Sequence, residues 1–393
     1  MNRYPKYKPS GIEWIGEIPE HWDIATIGRL NNLGRGRVIS NIEIGENSGE
    51  YPVYSSQTEN NGIMGYLNSF DFEGQYVTWT TDGANAGTVF YREGKFNCTN
   101  VCGTIQPKNL DLIELKYLPY YLNLGTRFSV RLDINPKLMN NMMAKIPLVI
   151  PPKPEQTAIA NYLDDKTAKI DTLIEKKKNL IELLKEERTA VINKAVTRGV
   201  NPNVKLKPSG IEWLGDIPEH WEVKKLKYIF QLSRGFDLSS NNFETGVIPV
   251  CGSNGIIGYH NKSTVKGPGI TVGRSGSVGE VNFIETDFWA HNTCLYVYKN
   301  FDNNLKYIFY FLRVFDLKSL SSGSAVGTLN RNYIHAENIA FPTKFEQNQI
   351  VQHIEAETKR IDCAISKIEK EIELLIEYRI ALISEVVTGK IKV

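Results

Sequence analysis

Asp82 followed by Glu93-Gly94-Lys95 is the one string in this 393-residue chain with the residue types of a metal-dependent nuclease: two carboxylates for a divalent cation and a lysine for developing charge. The chain is internally duplicated, and the second copy does not keep the set. At an offset of 192 the corresponding positions are Arg274, Glu285 and Asp287. No GxGxxG follows a strand, and no GxxxxGK[ST], HExxH or GxSxG occurs. Gly252, Gly255 and Gly258 make GxxGxxG without the helix start and downstream acid that dinucleotide binding requires. Ile150-Pro151-Pro152-Lys153 lacks the flanking residues with which an adenine methyltransferase holds a flipped base. Cys98, Cys102, Cys251, Cys294 and Cys363 are odd in number and contain no CxxC pair, so they read as buried reduced thiols rather than a disulfide framework or zinc site. His21 and His220 are the histidines that recur in both copies, with no partner constellation beside them, and read as capping or packing residues. The residues make no complete catalytic constellation and no metal site, so the chemistry to look for is binding.

The elements that must position such residues come twice. Residues 8–22 (KPSGIEWIGEIPEHW) and 207–221 (KPSGIEWLGDIPEHW) agree at 13 of 15 positions at an offset of 199. Trp14, Trp22, Trp213 and Trp221 in these leading blocks read as buried anchors that dock the block on the domain that follows. Each block precedes a region rich in Gly, Asn, Thr and aromatics with strand-like alternation: 75–79, 87–91 and 101–105 in one, 269–272, 279–283 and 293–297 in the other. Landmarks persist while the rest diverges: Gly34-Arg35-Gly36 against Ser233-Arg234-Gly235, and Asn100 with Cys102 against Asn292 with Cys294. Short helical stretches, Leu115 to Leu124 and Leu305 to Val314, close each region, and prolines then end it.

From Glu155 to Thr197, and again from Glu346 to Thr388, there is neither proline nor glycine, and apolar residues recur in steps of four and three. The seams run Leu163, Thr167, Ile170, Ile174, Lys177, Ile181, Leu184, Arg188, Val191, Ala195 and Ile354, Thr358, Ile361, Ile365, Ile368, Ile372, Leu375, Arg379, Leu382, Val386. That rhythm is a left-handed coiled coil, each rod roughly 65 Å long. The link from Arg198 to Leu206 spans at most roughly 30 Å, so the second helix must run back along the first. The expectation is an α+β chain: two β-rich domains with short helices (1–150 and 201–340), separated by a long antiparallel two-helix coiled coil (151–200 and 341–393), with a pseudo-twofold internal repeat. Lys177, Arg188 and Arg379 in the seam would fix register at a cost in stability. Leu173, Leu180 and Leu183, with Leu374, Ile376 and Tyr378, widen the apolar stripe beyond a two-stranded seam. Two readings stand for them: packing against the chain's own domains, or a docking face for partner helices.

Composition sets bounds. Hydrophobic residues make up 41% and charged residues 23%, and the net charge is +2. No segment among 1–150, 151–200, 201–340 and 341–393 exceeds a net charge of two in either sign, so any nucleic-acid contact rests on local patches. The start MNRYPKYKPS has no apolar run of a signal peptide and no stretch suits a membrane span, which makes the cytoplasm the expected compartment.

The duplicated WIGEIPEHW-type block, the two unlike globular regions and the proline-then-Glu-Gln opening of each long helix resemble the specificity subunit of type I restriction-modification enzymes, over nearly the whole chain. The resemblance implies two target recognition domains, each reading one half of a bipartite, asymmetric site in double-stranded DNA. It implies paired helices that act as spacer and as the seat for two methyltransferase subunits, with two restriction-translocase subunits joining for cleavage. S-adenosylmethionine, ATP and Mg2+ then belong to those partners, and this chain is a non-catalytic subunit. Polar residues in glycine-containing loops are the expected DNA contacts: Arg35, Arg37, Thr81, Asn85, Arg127 and Arg131 in the first domain, and Arg234, Arg274, Ser275, Ser277, Arg331 and Asn332 in the second. Arg35 and Arg234 recur, which suits phosphate better than base. The docking reading of Leu173, Leu180, Leu183, Leu374, Ile376 and Tyr378 follows from the same resemblance. Rival readings are a self-contained methyltransferase-nuclease with similar recognition domains, and a coiled-coil scaffold that binds no DNA.

If the helices are a ruler, one heptad inserted into both should lengthen the unread gap by roughly 10 Å, about three base pairs. Methylome sequencing should then show a longer gap between unchanged half-sites; altered half-sites would refute the ruler.

Overall fold

The structure, a computed structural model, describes residues 3–131, 135–239, 243–322 and 327–393. It forms two compact units, Met1–Lys177 with Lys370–Val393, and Lys178–Glu369.

The first unit runs β1 (Tyr7–Pro9), β2 (Glu17–Pro19), β3 (Asp23–Thr26), α1 (Ile27–Leu30), β4 (Asn31–Arg35), α2 (Asn41–Glu46), β5 (Tyr51–Tyr54) and β6 (Ile63–Leu67). It continues through β7 (Phe72–Thr80), β8 (Val89–Cys98), β9 (Cys102–Pro107), α3 (Tyr117–Gly125), α4 (Asn140–Met143) and β10 (Pro147–Ile150) into α5 (Lys153–Arg198). Its main sheet has the order β4-β9-β7-β8-β5-β6, antiparallel except where β5 and β8 run parallel at Val53 and Asn97. The leading block is the hairpin β1-β2, and β3 pairs with β10 so that the start and end of the domain close on each other.

The second unit runs β11 (Leu206–Pro208), β12 (Asp216–Pro218), β13 (Glu222–Lys225), β14 (Gln231–Arg234), β15 (Ile248–Gly252), β16 (Gly255–His260), β17 (Gly269–Gly273), β18 (Val281–Ile284), β19 (Trp289–Ala290) and β20 (Cys294–Lys299). Then come α6 (Leu305–Val314), β21 (Ser321–Ser322), β22 (Thr328–Leu329), α7 (Arg331–Ala336), β23 (Asn338–Phe341) and α8 (Lys344–Val387). Here the sheet is split into β14-β20-β17-β18 and β16-β15-β19, with β19 meeting β15 in parallel as β8 meets β5. The sequence expectation of two β-rich domains with short helices and two long helices holds.

Both long helices start two residues ahead of the expected Glu155 and Glu346. Lys153 and Pro154 fit the first turn because that turn has no intrahelical partner for its amides. Every seam position is buried or half-buried in both helices, while Leu173, Leu180, Leu183, Leu374, Ile376 and Tyr378 are 42–60% exposed. The chain's own domains therefore do not cover that stripe. Within the first unit Arg379 meets Asp171 at 2.9 Å and Lys177 meets Glu371; within the second Arg188 meets Asp362 at 3.0 Å and Arg360 meets Glu187 at 2.9 Å. In the first unit the partner number falls from 379 to 371 as α5 rises from 171 to 177, and in the second it falls from 362 at Arg188 to Ile350 and Ile354, which share a core with Ile192 and Val196, so the helices run antiparallel in both units. All three cations placed in the seam by sequence find a carboxylate across it.

The repeated Glu-Gln at each helix start has a mechanical role. Glu155 accepts from Trp22 Nε1 at 3.0 Å and Tyr4 Oη at 2.8 Å, and lies 2.7 Å from His21 Nε2. Glu346 does the same for Trp221 and His220, each at 2.9 Å. Gln156 accepts from Glu114 N and donates to the carbonyls of Leu112 and Pro151; Gln347 accepts from Asn304 N and donates to the Pro342 carbonyl and Asn303 Oδ1. The two histidines are thus packing residues, as their lack of catalytic company suggested. Of the tryptophans, Trp22 and Trp221 are buried anchors and Trp14 stacks on Phe128, but Trp213 stays 47% exposed with only an edge contact to Phe315. Four cysteines are buried and Cys363 is exposed on α8, where it faces away from the seam; the expectation of buried thiols is corrected there.

Helix ends are anchored too. Tyr117 Oη donates to the Val387 carbonyl and Tyr307 Oη to the Val196 carbonyl. Gly389 has φ +74, and a Cβ there would stand 2.4 Å from Pro19, so the chain leaves α8 against the leading block only as glycine.

Burial alone would raise the Glu155 carboxyl, but the donations from Trp22, His21 and Tyr4 outweigh it and hold the group below the usual carboxylate range. A depressed native pKa gives stability that is present above the unfolded value of about 4.3 and lost as pH falls through the native one. Glu155→Ala should therefore destabilise the first unit by about 1–3 kcal/mol at pH 7, chiefly through the stranded Trp22 N–H. Urea unfolding followed by tryptophan fluorescence should show the gap between variant and parent narrowing toward pH 2; a pH-independent gap would rule out the carboxylate charge as its source.

Candidate nucleic-acid interface

Close backbone approach builds the frame that carries the expected contacts. Gly36 N donates to Cys102 O and Gly235 N to Cys294 O, both at 3.0 Å. A Cβ on Gly36 would lie 2.1 Å from Cys98 O, and one on Gly235 2.1 Å from His291 O, which explains why both glycines recur. The arginine before each glycine is thereby delivered to the loop that ends in Cys102 or Cys294.

In the first unit Arg35 Nε donates to the Asn100 carbonyl, and its guanidinium lies 3.9 Å from Asp82. Lys137 approaches the same carboxylate at 3.6 Å. Arg37 is committed elsewhere, to Asp71 at 2.9 Å and Glu43 at 2.6 Å, and its hydrogen bond holds the Glu43 carboxyl below the usual range. Asn85 and Arg127 are exposed and line a cavity of about 600 Å³ with Tyr91, Tyr120 and Ile383, a lining that excludes Arg35, Asp82 and Lys137. Arg131 is exposed, and its backbone bridges that of Lys137. Thr81 corrects the sequence reading. It is fully buried, its amide and carbonyl are both taken, and its hydroxyl points at Asp82 at 3.4 Å, so its short side chain ends inside the turn.

In the second unit Arg274 Nη1 donates to the Asn292 carbonyl at 3.4 Å, and Arg234 turns to Asp237 at 2.9 Å. Arg331, at the start of α7, reaches Ser233 Oγ at 3.3 Å. Ser275 is half-buried and its amide is bound to Thr293 O; Ser277 is half-buried, its carbonyl accepting from Glu280 N. Asn332 is exposed, its amide capped by Asn330.

The structure thus brings Arg35 together with Asp82 and Lys137, and Arg234 and Arg274 together around Asn292. Asp82, Lys137 and Asp237 were not among the residues expected at the interface; Asp82 stood out only in the nuclease-like string, and the recurring Asn100 and Asn292 were the other signal near them. The nuclease-like string does not assemble. Glu93 pairs across the strands with Gln75, seven residues back from Asp82, or roughly 23 Å along an extended strand. Lys95 pairs with Glu73. Among the described residues no helix is long and apolar enough to cross a membrane.

Comparison with known proteins gives concordant matches. The family model described as "Type I restriction modification DNA specificity domain" matches residues 19–183 and again 218–374. The Mycoplasma pneumoniae protein "Putative type I specificity subunit S.MpnORF507P" is 28% identical over 329 residues, 81% of this chain and 84% of that protein. A second from the same organism, "Putative type I specificity subunit S.MpnORF289P N-terminus", is 50% identical over 134 residues, 34% of this chain and 71% of that protein. A solved chain from work on complex assembly and conformational transition of the type I R-M system aligns with a TM-score of 0.68 at 12% identity, over 95% of this chain and 99% of that one. At that identity the likeness shows the fold.

Proposed function

This chain belongs to the type I restriction-modification DNA specificity family, and from that premise we propose that each β-rich domain reads one half of a bipartite, asymmetric DNA site while the paired helices set the unread gap and seat methyltransferase subunits. Two frames alike in backbone and unlike in loop chemistry support the first part: Arg35, Asp82 and Lys137 in one against Arg234, Arg274 and Arg331 in the other. The uncovered stripe supports the second. Six large apolar side chains left 42–60% exposed are costly in water and find their use when partner helices cover them.

In this reading the chain is the non-catalytic subunit and acts in the cytoplasm. Two methyltransferase subunits would carry S-adenosylmethionine, and two restriction-translocase subunits would carry ATP and Mg2+. In the same reading Arg127, Asn85, Arg131 and Asn332, all exposed, would meet the DNA backbone.

Deleting the gene should erase one gapped adenine-methylation motif from the host methylome, and the purified chain with S-adenosylmethionine should methylate nothing alone. Methylation by the isolated chain would instead support the self-contained enzyme, and an assembled complex that retards no genomic DNA would support a scaffold. Leu173→Asp with Leu180→Asp should abolish co-purification of the methyltransferase subunit while leaving the thermal transition in place. Undiminished co-purification would remove the stripe from the docking site.

A further inference from the structure

Backbone hydrogen bonds put the turn after β7 and the turn after β17 in one frame. Thr81 N donates to Val101 O at 3.0 Å, and Arg274 N to Thr293 O at 2.9 Å. Leu138 N donates to Thr81 O at 2.9 Å, and Leu329 N to Arg274 O at 2.8 Å. Gly87 N donates to Thr80 O at 2.8 Å, and Gly279 N to Gly273 O at 2.9 Å. Isolated bridges, Asp82 with Lys137 and Ser275 with Thr328, close both turns. The structural counterparts are therefore Thr81 and Arg274, Asp82 and Ser275, Lys137 and Thr328, one residue away from the pairing that a constant offset of 192 gives.

On this shared frame the side chains make opposite demands. The first unit offers the Asp82 carboxylate, an acceptor, braced by Arg35 at 3.9 Å and Lys137 at 3.6 Å. In the second unit the turn has no carboxylate and offers the Arg274 guanidinium, steadied through one nitrogen on a main-chain carbonyl. Among the described residues Arg274 and Arg331 have no carboxylate partner, and an arginine has five donors to place.

Phosphate contacts cannot account for this difference. The DNA backbone is the same in both half-sites, so two copies of one frame that met it at this turn would carry like charges. A carboxylate aimed at phosphate would be repelled, whereas one aimed at a base edge accepts a hydrogen bond from an exocyclic amino group. A guanidinium held at one nitrogen keeps a fork that matches the O6 and N7 of guanine.

We propose that this turn is the base-reading position of each domain: Arg274 reads a guanine in one half-site, and Asp82, braced by Arg35 and Lys137, reads the amino group of a cytosine in the other. The assignment rests on the DNA-recognition reading above and adds which residues specify and with which polarity.

The test uses the full chain co-expressed with its methyltransferase subunits in a host free of other adenine methylation, with the motif read by sequencing. Arg274→Gln should relax one guanine position in one half-site, lower methylation of the parent motif about tenfold to a hundredfold, and leave the other half-site and gap alone. Asp82→Asn should relax one position in the opposite half-site. Arg274→Lys keeps the charge and loses the fork, so a base reader should fail with it as with glutamine. Parent-like methylation by the lysine variant makes Arg274 a phosphate contact and overturns the proposal. So does a uniform loss with no relaxed position in complexes that assemble in normal amount. If the unaltered chain directs no gapped motif at all, the recognition reading itself falls, a result distinct from either of these.

Discussion

A helix of 46 residues with apolar side chains at most of the third or fourth positions along one seam cannot stand alone in water, and most of this structure follows from how that seam is covered. Along the middle of each helix the cover is the other helix, and near each end it is the core of a β-rich domain. Leu163 and Ile159 of α5 share the first core with Leu382, Val386 and Val387 of α8; Ile350 and Ile354 of α8 share the second with Ile192, Ala195 and Val196 of α5. Each domain core therefore holds the beginning of one long helix and the end of the other. Apolar burial supplies the energy but not the register, since steps of three and four repeat along the whole seam. The register is set by Asp171 with Arg379 and Asp362 with Arg188, the same pair written twice by the duplication. Such half-exposed pairs add little stability each, but a slip of one heptad would leave both unmet.

Many of the residues that recur in the two copies do this holding. Glu155 and Glu346 clamp the leading block by its tryptophan and histidine, Gln156 and Gln347 tie the loop before the short helix, and Tyr117 and Tyr307 fasten the last turn of the opposite long helix. Gly36 and Gly235 let one backbone lie against another. The turns these elements support, by contrast, differ in charge and shape. A frame secured by backbone and by side chains pointing inward is indifferent to what its loops present, so loops can diverge without unfolding the domain.

What could be read from the sequence follows the same division. The seam was legible at every position because it repeats, and α6 begins and ends at the expected Leu305 and Val314 because Asn304 caps its start and the apolar face is continuous. The first domain's short helix begins at Tyr117 rather than Leu115, and β8 begins at Val89 rather than Gly87, whose φ of +89 belongs to a turn. Sheet order, including the parallel contact of β5 with β8, depends on pairings distant in sequence and has no local signature. The contact residues were legible only in part for a related reason. Thr81 has the composition of a loop residue but the burial of a core one, and Asp82 meets partners 47 and 55 residues away, Arg35 and Lys137. Distance in the chain hides a cluster that three-dimensional proximity makes plain.

The low net charge, puzzling in a DNA reader, has a physical account in these pairings. Arg37 is bound to Asp71 and Glu43, Arg234 to Asp237, and Arg35 shares Asp82 with Lys137. Cations already neutralised by neighbouring carboxylates release few counterions from DNA, so they add little affinity for arbitrary sequence. Under the proposal made above, the Asp82 carboxylate would accept from a base amino group at a matching site and would repel bare phosphate. Prepairing therefore weakens every complex somewhat and the wrong ones most, which is the direction a specificity subunit requires when affinity for the DNA backbone can come from the other members of an assembly. A strongly basic recognition surface would bind more tightly and discriminate less.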